Sequence, residues 1–226
     1  MTIRAFRARR GIVEGLALLA TAGLVTAGLS ACGAPAYTYV TDSPNSTYFK
    51  VPTGWHEIST SSLDAALEAA GGTGQGIWAT AFDAGAAPSA GNFLSFGVSQ
   101  PFVFSEVGTL SSDASNQLSY NGLRDFLFPV SDSGRATAQA SSAFPLTDFK
   151  SIADDTIKAS NGVHGVREVF QYSYNGVADT FDEVSLTNAD QTVAYFIIVH
   201  CTSKCYSQYQ SDINTVMSSF TVGSSS

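Results

Sequence analysis

This sequence is poor in positive charge. Lysine and arginine together number 11 in 226 residues, against 19 aspartates and glutamates, and charged residues make up only 13% of the chain. A formal net charge of -8 offers no basic surface to a phosphate backbone or an anionic bilayer. Nucleic-acid binding and electrostatic membrane binding are therefore excluded. Cysteine is scarcer still, with three residues, and histidine also has three. The histidines, His56, His164 and His200, stand far apart, with no H-x-x-x-H or H-x-H spacing, so no metal site is expected. G-x-S-x-G is missing, and Thr147-Asp148-Phe149-Lys150 mimics S-x-x-K only at the start of a strand rather than on a helix. No catalytic residues and no cofactor are expected. Internal repeats are also missing.

Four of the arginines, Arg4, Arg7, Arg9 and Arg10, crowd the first ten residues. A mostly apolar, small-residue stretch follows to Leu29, interrupted by Glu14. This is the charged and apolar order of an export signal, too short for a spanning helix. It ends in Leu29-Ser30-Ala31-Cys32-Gly33, which resembles the bacterial lipobox. That resemblance implies cleavage before Cys32 and a diacylglyceryl group on its thiol, with acylation of the new N-terminus. Residues 1–31 are then a lipoprotein signal peptide. Its removal takes Lys+Arg from 11 to seven and Asp+Glu from 19 to 18, leaving a mature chain of charge about -11 by this bookkeeping. Two acyl chains hold a protein where one exchanges, since each buried methylene contributes about 0.8 kcal/mol. The anchor places the protein on the extracytoplasmic face of the cell membrane. General secretion fits better than twin-arginine export, because Gly11-Ile12-Val13-Glu14 match the latter poorly.

Residues 32–46 read as a lipidated polar tether with two prolines, and 47–223 as one domain. Its centre is the stretch 192–222. Val193 to Val199 is an unbroken apolar, β-rich run, the pattern of a strand buried on both faces. Tyr206, Tyr209, Ile213, Val216 and Phe220 then recur at helical spacing, predicting a helix over 204–219. Strands are expected at 149–159, 165–174 and 178–187, joined by Ser160-Asn161-Gly162, Asn175-Gly176 and Asn188-Ala189-Asp190. Asn-Gly between alternating runs signals a hairpin, so these strands form an antiparallel meander. Earlier, strands are expected at 48–52, 75–83 and 92–99. Helices are expected at 63–70, capped by Ser61 or Ser62, and at 118–128. Residues 101–110 read as a mixed apolar loop, with a short strand as the alternative, and 131–142 as a loop. The fold class is α+β: an antiparallel meander sandwiched by helices.

The stretch Tyr48-Phe49-Lys50-Val51-Pro52-Thr53-Gly54-Trp55 resembles the F-x-x-P-x-G-W start of the Mog1/PsbP-like α/β/α sandwich. The run A-Y-F-I-I-V-H-C and the closing I-x-x-V-M-S-S-F-T-V are similar to that fold's end. Most of the mature chain is covered, and the likeness is greatest to actinobacterial lipoproteins of the LpqN/LpqT type. The resemblance implies a central antiparallel sheet between helical layers and a role in binding or assembly, with no shared catalytic residues.

Cys201 and Cys205 remain once Cys32 carries lipid. At C-x-x-x-C spacing in an exported protein they read as a disulfide pinning the last helix to the central strand; the alternative is a pair of free thiols or a metal site beside His200. Gly71-Gly72-Thr73-Gly74-Gln75-Gly76 follows a helix and precedes a strand, the wrong order for a phosphate loop. Asp154, Asp155, Asp179, Asp182 and Glu183 read as a solvated acidic face. Phe102-Val103-Phe104 and Phe126-Leu127-Phe128 read as core, or as an apolar groove. The function expected is that of a membrane-anchored, cell-envelope binding or assembly module, monomeric, with envelope proteins as partners. A carrier or sensor of an apolar envelope molecule is the alternative, and an envelope hydrolase ranks last.

Overall fold

The computed structural model describes residues 35–69 and 76–223. The expected signal peptide, Cys32 and most of the glycine-rich connection after the first helix lie outside them.

Seven strands form the main sheet, and four of them are the expected meander: β6 (Thr147–Lys158), β7 (His164–Tyr174), β8 (Val177–Thr187) and β9 (Val193–Thr202). The turns follow from their residues, with Asn175 and Gly176 both at positive φ between β7 and β8. The other three are β3 (His56–Glu57), β4 (Gly76–Asp83) and β5 (Phe102–Thr109). The order is β3-β4-β5-β9-β8-β7-β6, so β9 is the middle strand, and Ala194 to Cys201 is buried throughout. The expectation of a strand covered on both faces holds.

Each face has its own core. One buries Val184, Ile197, Val199 and Phe82 against Ile213, Val216, Met217 and Phe220 of the C-terminal helices. The other buries Phe104, Phe170, Phe181, Phe196 and Ile198 beneath Leu63 and Ala90. Two helices, α5 (Ser203–Gln208) and α6 (Gln210–Ser219), replace the single one expected, with Tyr209 between them. A second, three-stranded sheet, ordered β1-β2-β10, lies over the first core: β1 (Tyr37–Asp42), β2 (Thr47–Pro52) and β10 (Thr221–Val222).

Several expectations are corrected. The tether is a strand in its second half, since β1 pairs with β2 from Tyr37↔Pro52 to Asp42↔Thr47 and Val40 packs on the core. Residues 101–110 are not a loop: β5 pairs with both β4 and β9, and Phe102, Val103 and Phe104 are fully buried. The strand expected at 92–99 is a 3-10 turn, Ala90–Leu94, followed by loop. The Asp83 carboxylate holds it there, accepting from Gly85 N (2.7 Å), Ser89 N (3.1 Å) and Asn92 Nδ2 (2.6 Å). The helix expected at 118–128 is helical only over α3 (Tyr120–Arg124), capped by the Ser119 hydroxyl, and a short helix not expected, α2 (Ser112–Gln117), capped by the Ser111 hydroxyl, precedes it. The loop expected at 131–142 contains α4 (Asp132–Gln139), whose cap is Ser131, accepting from Gly134 N at 3.0 Å. It buries no residue, so no apolar periodicity marks it. The first helix, α1 (Thr60–Ala69), is capped by Ser59, ahead of the expected Ser61 or Ser62.

Candidate functional site

The three histidines are scattered. His56 is exposed on β3, and His164 begins β7, its Nδ1 2.9 Å from the Gly162 carbonyl. His200 lies buried in mid-sheet, stacked on Phe181 at 5.5 Å, with no partner for either ring nitrogen among the described residues. Burial holds it neutral by pushing its pKa down to about 4. Among the described residues no group of His, Cys, Asp and Glu is placed to hold a metal.

The acids are the largest departure from expectation. Asp179, Asp182 and Glu183 do not face solvent; all three are buried. Alternation along β8 sends them to opposite faces. Asp182 meets Arg167 (2.8 and 3.0 Å) and the Tyr206 hydroxyl (2.9 Å), which tie β7, β8 and α5 together. On the other face Glu183 stands directly across from Glu168 of β7, and Asp154 of β6 continues the row. Arg124 of α3 answers this row, at 2.8 Å from Asp154 and 3.3 Å from Glu168. One carboxylate oxygen of each glutamate has no partner among the described residues. Burial, reinforced by the Asp154 charge and opposed by Arg124, pushes Glu168 up to about 7. Burial likewise pushes Glu183 well up, against the hydroxyl that Ser185 donates at 2.8 Å.

The Phe-rich segments pack on themselves. Phe128 lies 4.6 Å from Phe181, which stacks on Phe170 at 5.1 Å, and Phe93 lies 4.5 Å from Phe104. These rings occupy the layer where an apolar ligand would have been carried. Phe126 and Leu127 are exposed at 41% and 37%, so the second of the two apolar runs is not all core.

Cys201 and Cys205 are brought to disulfide distance, with Cα atoms 5.9 Å apart, both sulfurs buried where β9 turns into α5. No metal arrangement among the described residues includes them. The intact mass with and without reductant is expected to differ by that of two hydrogens. Cysteine-to-serine variants should lose about 2 kcal/mol, the low end for so small a ring; equal masses would show free thiols.

A cavity of about 600 Å³ is a groove along one edge of the main sheet. Its floor is β4, from Gly76 to Thr80. One wall is α1, with Asp64 and Leu67, and the other is β1, from Thr38 to Thr41. Both strands contribute consecutive residues. A strand that shows a face contributes alternate residues, so β1 and β4 each turn an edge to the groove. Tyr39 and Ile77 stand exposed at its rim, at 75% and 51%. The carboxylates of Glu57, Asp64 and Glu106 line it, and none of its lining residues is basic. Glu106 lies over Gly76, where a Cβ would approach its Oε1 to 2.6 Å, and burial raises its pKa.

No protein-family model matches the chain, and no curated protein matches it by sequence. Solved structures do. Cyanobacterial PsbP (CyanoP) from Synechocystis aligns over 85% of this chain and 96% of its own, with TM-score 0.50 and 13% identity. The fold is Mog1/PsbP-like. LpqN of Mycobacterium tuberculosis, involved in cell envelope biogenesis, aligns over 82% of this chain and 90% of its own, with TM-score 0.46 and 13% identity. The Ran-binding protein Mog1p of Saccharomyces cerevisiae aligns over 83% and 96%, with TM-score 0.42 and 7% identity. Such identities speak of the fold alone, and the Mog1/PsbP-like frame assigns no site residue. The sequence hides the groove, because β1 lies in a stretch with the composition of a tether. Its one local signal is Gly76 at the start of an alternating strand.

Proposed function

We propose that the chain is a lipid-anchored cell-envelope protein of the LpqN/LpqT kind that binds another envelope protein in the groove between α1, β1 and β4. The observation that carries this reading is the groove itself: a sheet edge left open between the two layers that cover the sheet's faces. Anchoring is supported by the Leu29-Ser30-Ala31-Cys32 ending of the leader, and export by the paired Cys201 and Cys205. No helix of the described residues is long and apolar enough to cross a membrane. We read the role as binding rather than catalysis: His200 is sealed between rings, His56 and His164 stand apart from the buried carboxylates, and no histidine, lysine or cysteine is among the residues that line the groove.

The test places a photo-crosslinking residue at Tyr39 or Ile77 in the full chain in its native membrane, with Val177, exposed at 44% on the β7–β8 hairpin, as control. One envelope protein, identified by mass spectrometry, should be captured from both groove positions and not from Val177. The same adducts from all three would overturn the reading. Cys32→Ala should move the protein from the membrane to the soluble fraction and abolish that adduct; unchanged detergent partitioning would remove the anchor from the account.

A further inference from the structure

β4 has an unpaired backbone edge. β3 covers only its last two residues, His56↔Asp83 and Glu57↔Phe82, and Ile58 N donates to the Ala81 carbonyl at 2.9 Å. The backbone groups of Ala81 therefore point away from β5. By the two-residue period, those of Ala79 point the same way. Among the described residues no backbone group takes them. At Ile77 a bulge interrupts the register with β5 and ends the free edge. Facing this edge across the groove is the outer edge of β1, the terminal strand of the small sheet. The gap continues the row that β3 begins and abandons after two residues.

The two sides of that row differ in chemistry. Glu106, directly across from Ala79, and Asp64 of α1 lie on the side of the α1 layer. Trp78 and Val40 pack against the core beneath the small sheet, on the other side. A strand laid in the gap would send alternate side chains to these two walls. One set would meet carboxylates, and the other an indole and a valine. Desolvated Glu106 gains most from an arriving cation, since its charge is held in a poorly screened place.

We propose that the groove takes an extended segment of a partner protein, alternating basic with apolar residues, by strand addition to the β4 edge at Ala79. This rests on the protein-binding reading above and names the partner's chemistry. Main-chain bonds to Ala79 supply the docking, and alternate side chains supply the choice. The match of sign argues for a basic guest, as the groove carries three carboxylates and no cation among its lining residues. The open edge is short, and neither lysine nor proline stands on β4 to block it; the acids restrict which strand is accepted.

The probe is a fluorescent eight-residue peptide alternating lysine and valine, titrated by anisotropy onto the full chain in detergent. Its controls are a glutamate–valine peptide and the lysine–valine peptide N-methylated at alternate backbone positions. The lysine–valine peptide should bind at least tenfold more tightly than either control, weaken with salt, and slow hydrogen exchange at Ala79. Ala79→Pro removes an N–H that no described strand of this chain uses, a place where proline is tolerated; it should weaken binding tenfold or more. Glu106→Gln should weaken it about threefold to tenfold. Equal binding of the lysine and glutamate peptides, or undiminished binding of the N-methylated one, would overturn the proposal. If crosslinking from Tyr39 and Ile77 finds a partner while the lysine–valine peptide fails to bind, strand addition falls and the protein-binding reading stands. If the peptide binds as expected while no partner crosslinks, strand addition stands and the envelope partner falls.

Discussion

Gly165→Ala is expected to cripple folding, although it adds a single methyl group. A Cβ at this position would lie 2.0 Å from the Ser185 carbonyl oxygen and 2.8 Å from the Leu186 Cα, both backbone atoms of the neighbouring strand. A side chain could swing away; a ladder carbonyl cannot move without opening the β7–β8 pairing at Gly165↔Leu186. That pairing carries Leu186, which belongs to the core beneath α6. Overpacking of a core usually costs about 1–3 kcal/mol, and a backbone that must separate belongs at or beyond the top of that range. Against a total of roughly 5–15 kcal/mol, such a loss should lower the thermal midpoint by on the order of 10 °C or leave the protein insoluble. Gly54→Ala is the matched control, because a Cβ there meets nothing within 4 Å. Thermal unfolding followed by circular dichroism separates the two. A Gly165→Ala protein as stable as Gly54→Ala would mean that β7 and β8 approach each other less closely at this point.

Gly165 is invisible in the sequence, where it only begins a strand, and the reason applies more widely. Features fixed by neighbours in the chain are legible. The Asn-Gly turns, the alternation that follows them, and the β-branched run of β9 yield the meander and its central strand from local pattern alone. Features fixed across space are not. Residues 101–110 lack a hairpin turn leading to β9, so nothing local shows that β5 pairs there across some ninety residues. The helix α4 has no apolar side chain larger than alanine and exists through the Ser131 cap and the Asp125 carboxylate, which takes both the Val130 and Ser131 amides at 2.8 Å. The groove has the same character: β1, α1 and β4 are ordinary singly, and their meeting depends on where β1 lands beside β2.

The acidic residues show what such blindness hides. In the linear sequence Asp179, Asp182 and Glu183 have the look of a wet surface. In the fold they are buried, and the two glutamates Glu168 and Glu183 are cross-strand neighbours. Directly opposed pairs place their Cβ atoms about 4.5–5.5 Å apart, too close for two desolvated negative charges. The structure that covers them, α3 with Arg124, supplies one cation to Asp154 and Glu168 and none to Glu183. Burial and the opposed charge therefore favour the protonated form of Glu183, and Glu168, pushed up to about 7, sits near the edge of ionisation at neutral pH.

Glu183→Gln should accordingly stabilise the protein, most of all at alkaline pH. The sign follows from proton binding. A carboxyl whose pKa is raised in the fold holds its proton where the unfolded chain has lost it, so stability falls as pH rises above the ordinary carboxylate value. For Glu168, moved from 4.5 to about 7, the decline runs through that interval. Glu183, raised well above 4.5, extends it to higher pH. Asp179, raised by burial, works in the same direction. His200 works in the opposite direction: its pKa, lowered to about 4, makes stability rise with pH up to about 6.5, where the unfolded histidine gives up its proton. Above pH 6.5 the carboxyls act alone, and wild type should lose stability as pH rises. In Glu183→Gln the amide keeps an oxygen for the Ser185 hydroxyl and presents N–H groups toward the unpartnered oxygen of Glu168. Repulsion across the pair disappears and a donor takes its place. The gain should be about 1–3 kcal/mol at pH 8, the scale of satisfying a buried polar group, and small at pH 5. Thermal midpoints measured from pH 6.5 to 8.5 test this: the variant's curve should lie above the wild type's and fall less steeply. Arg124→Met tests the same electrostatics from the other side, by removing the cation that holds Asp154 and Glu168; it should steepen the decline. Parallel curves for wild type and Glu183→Gln would mean that Glu183 carries no proton of consequence, and that Glu168 titrates without regard to its neighbour.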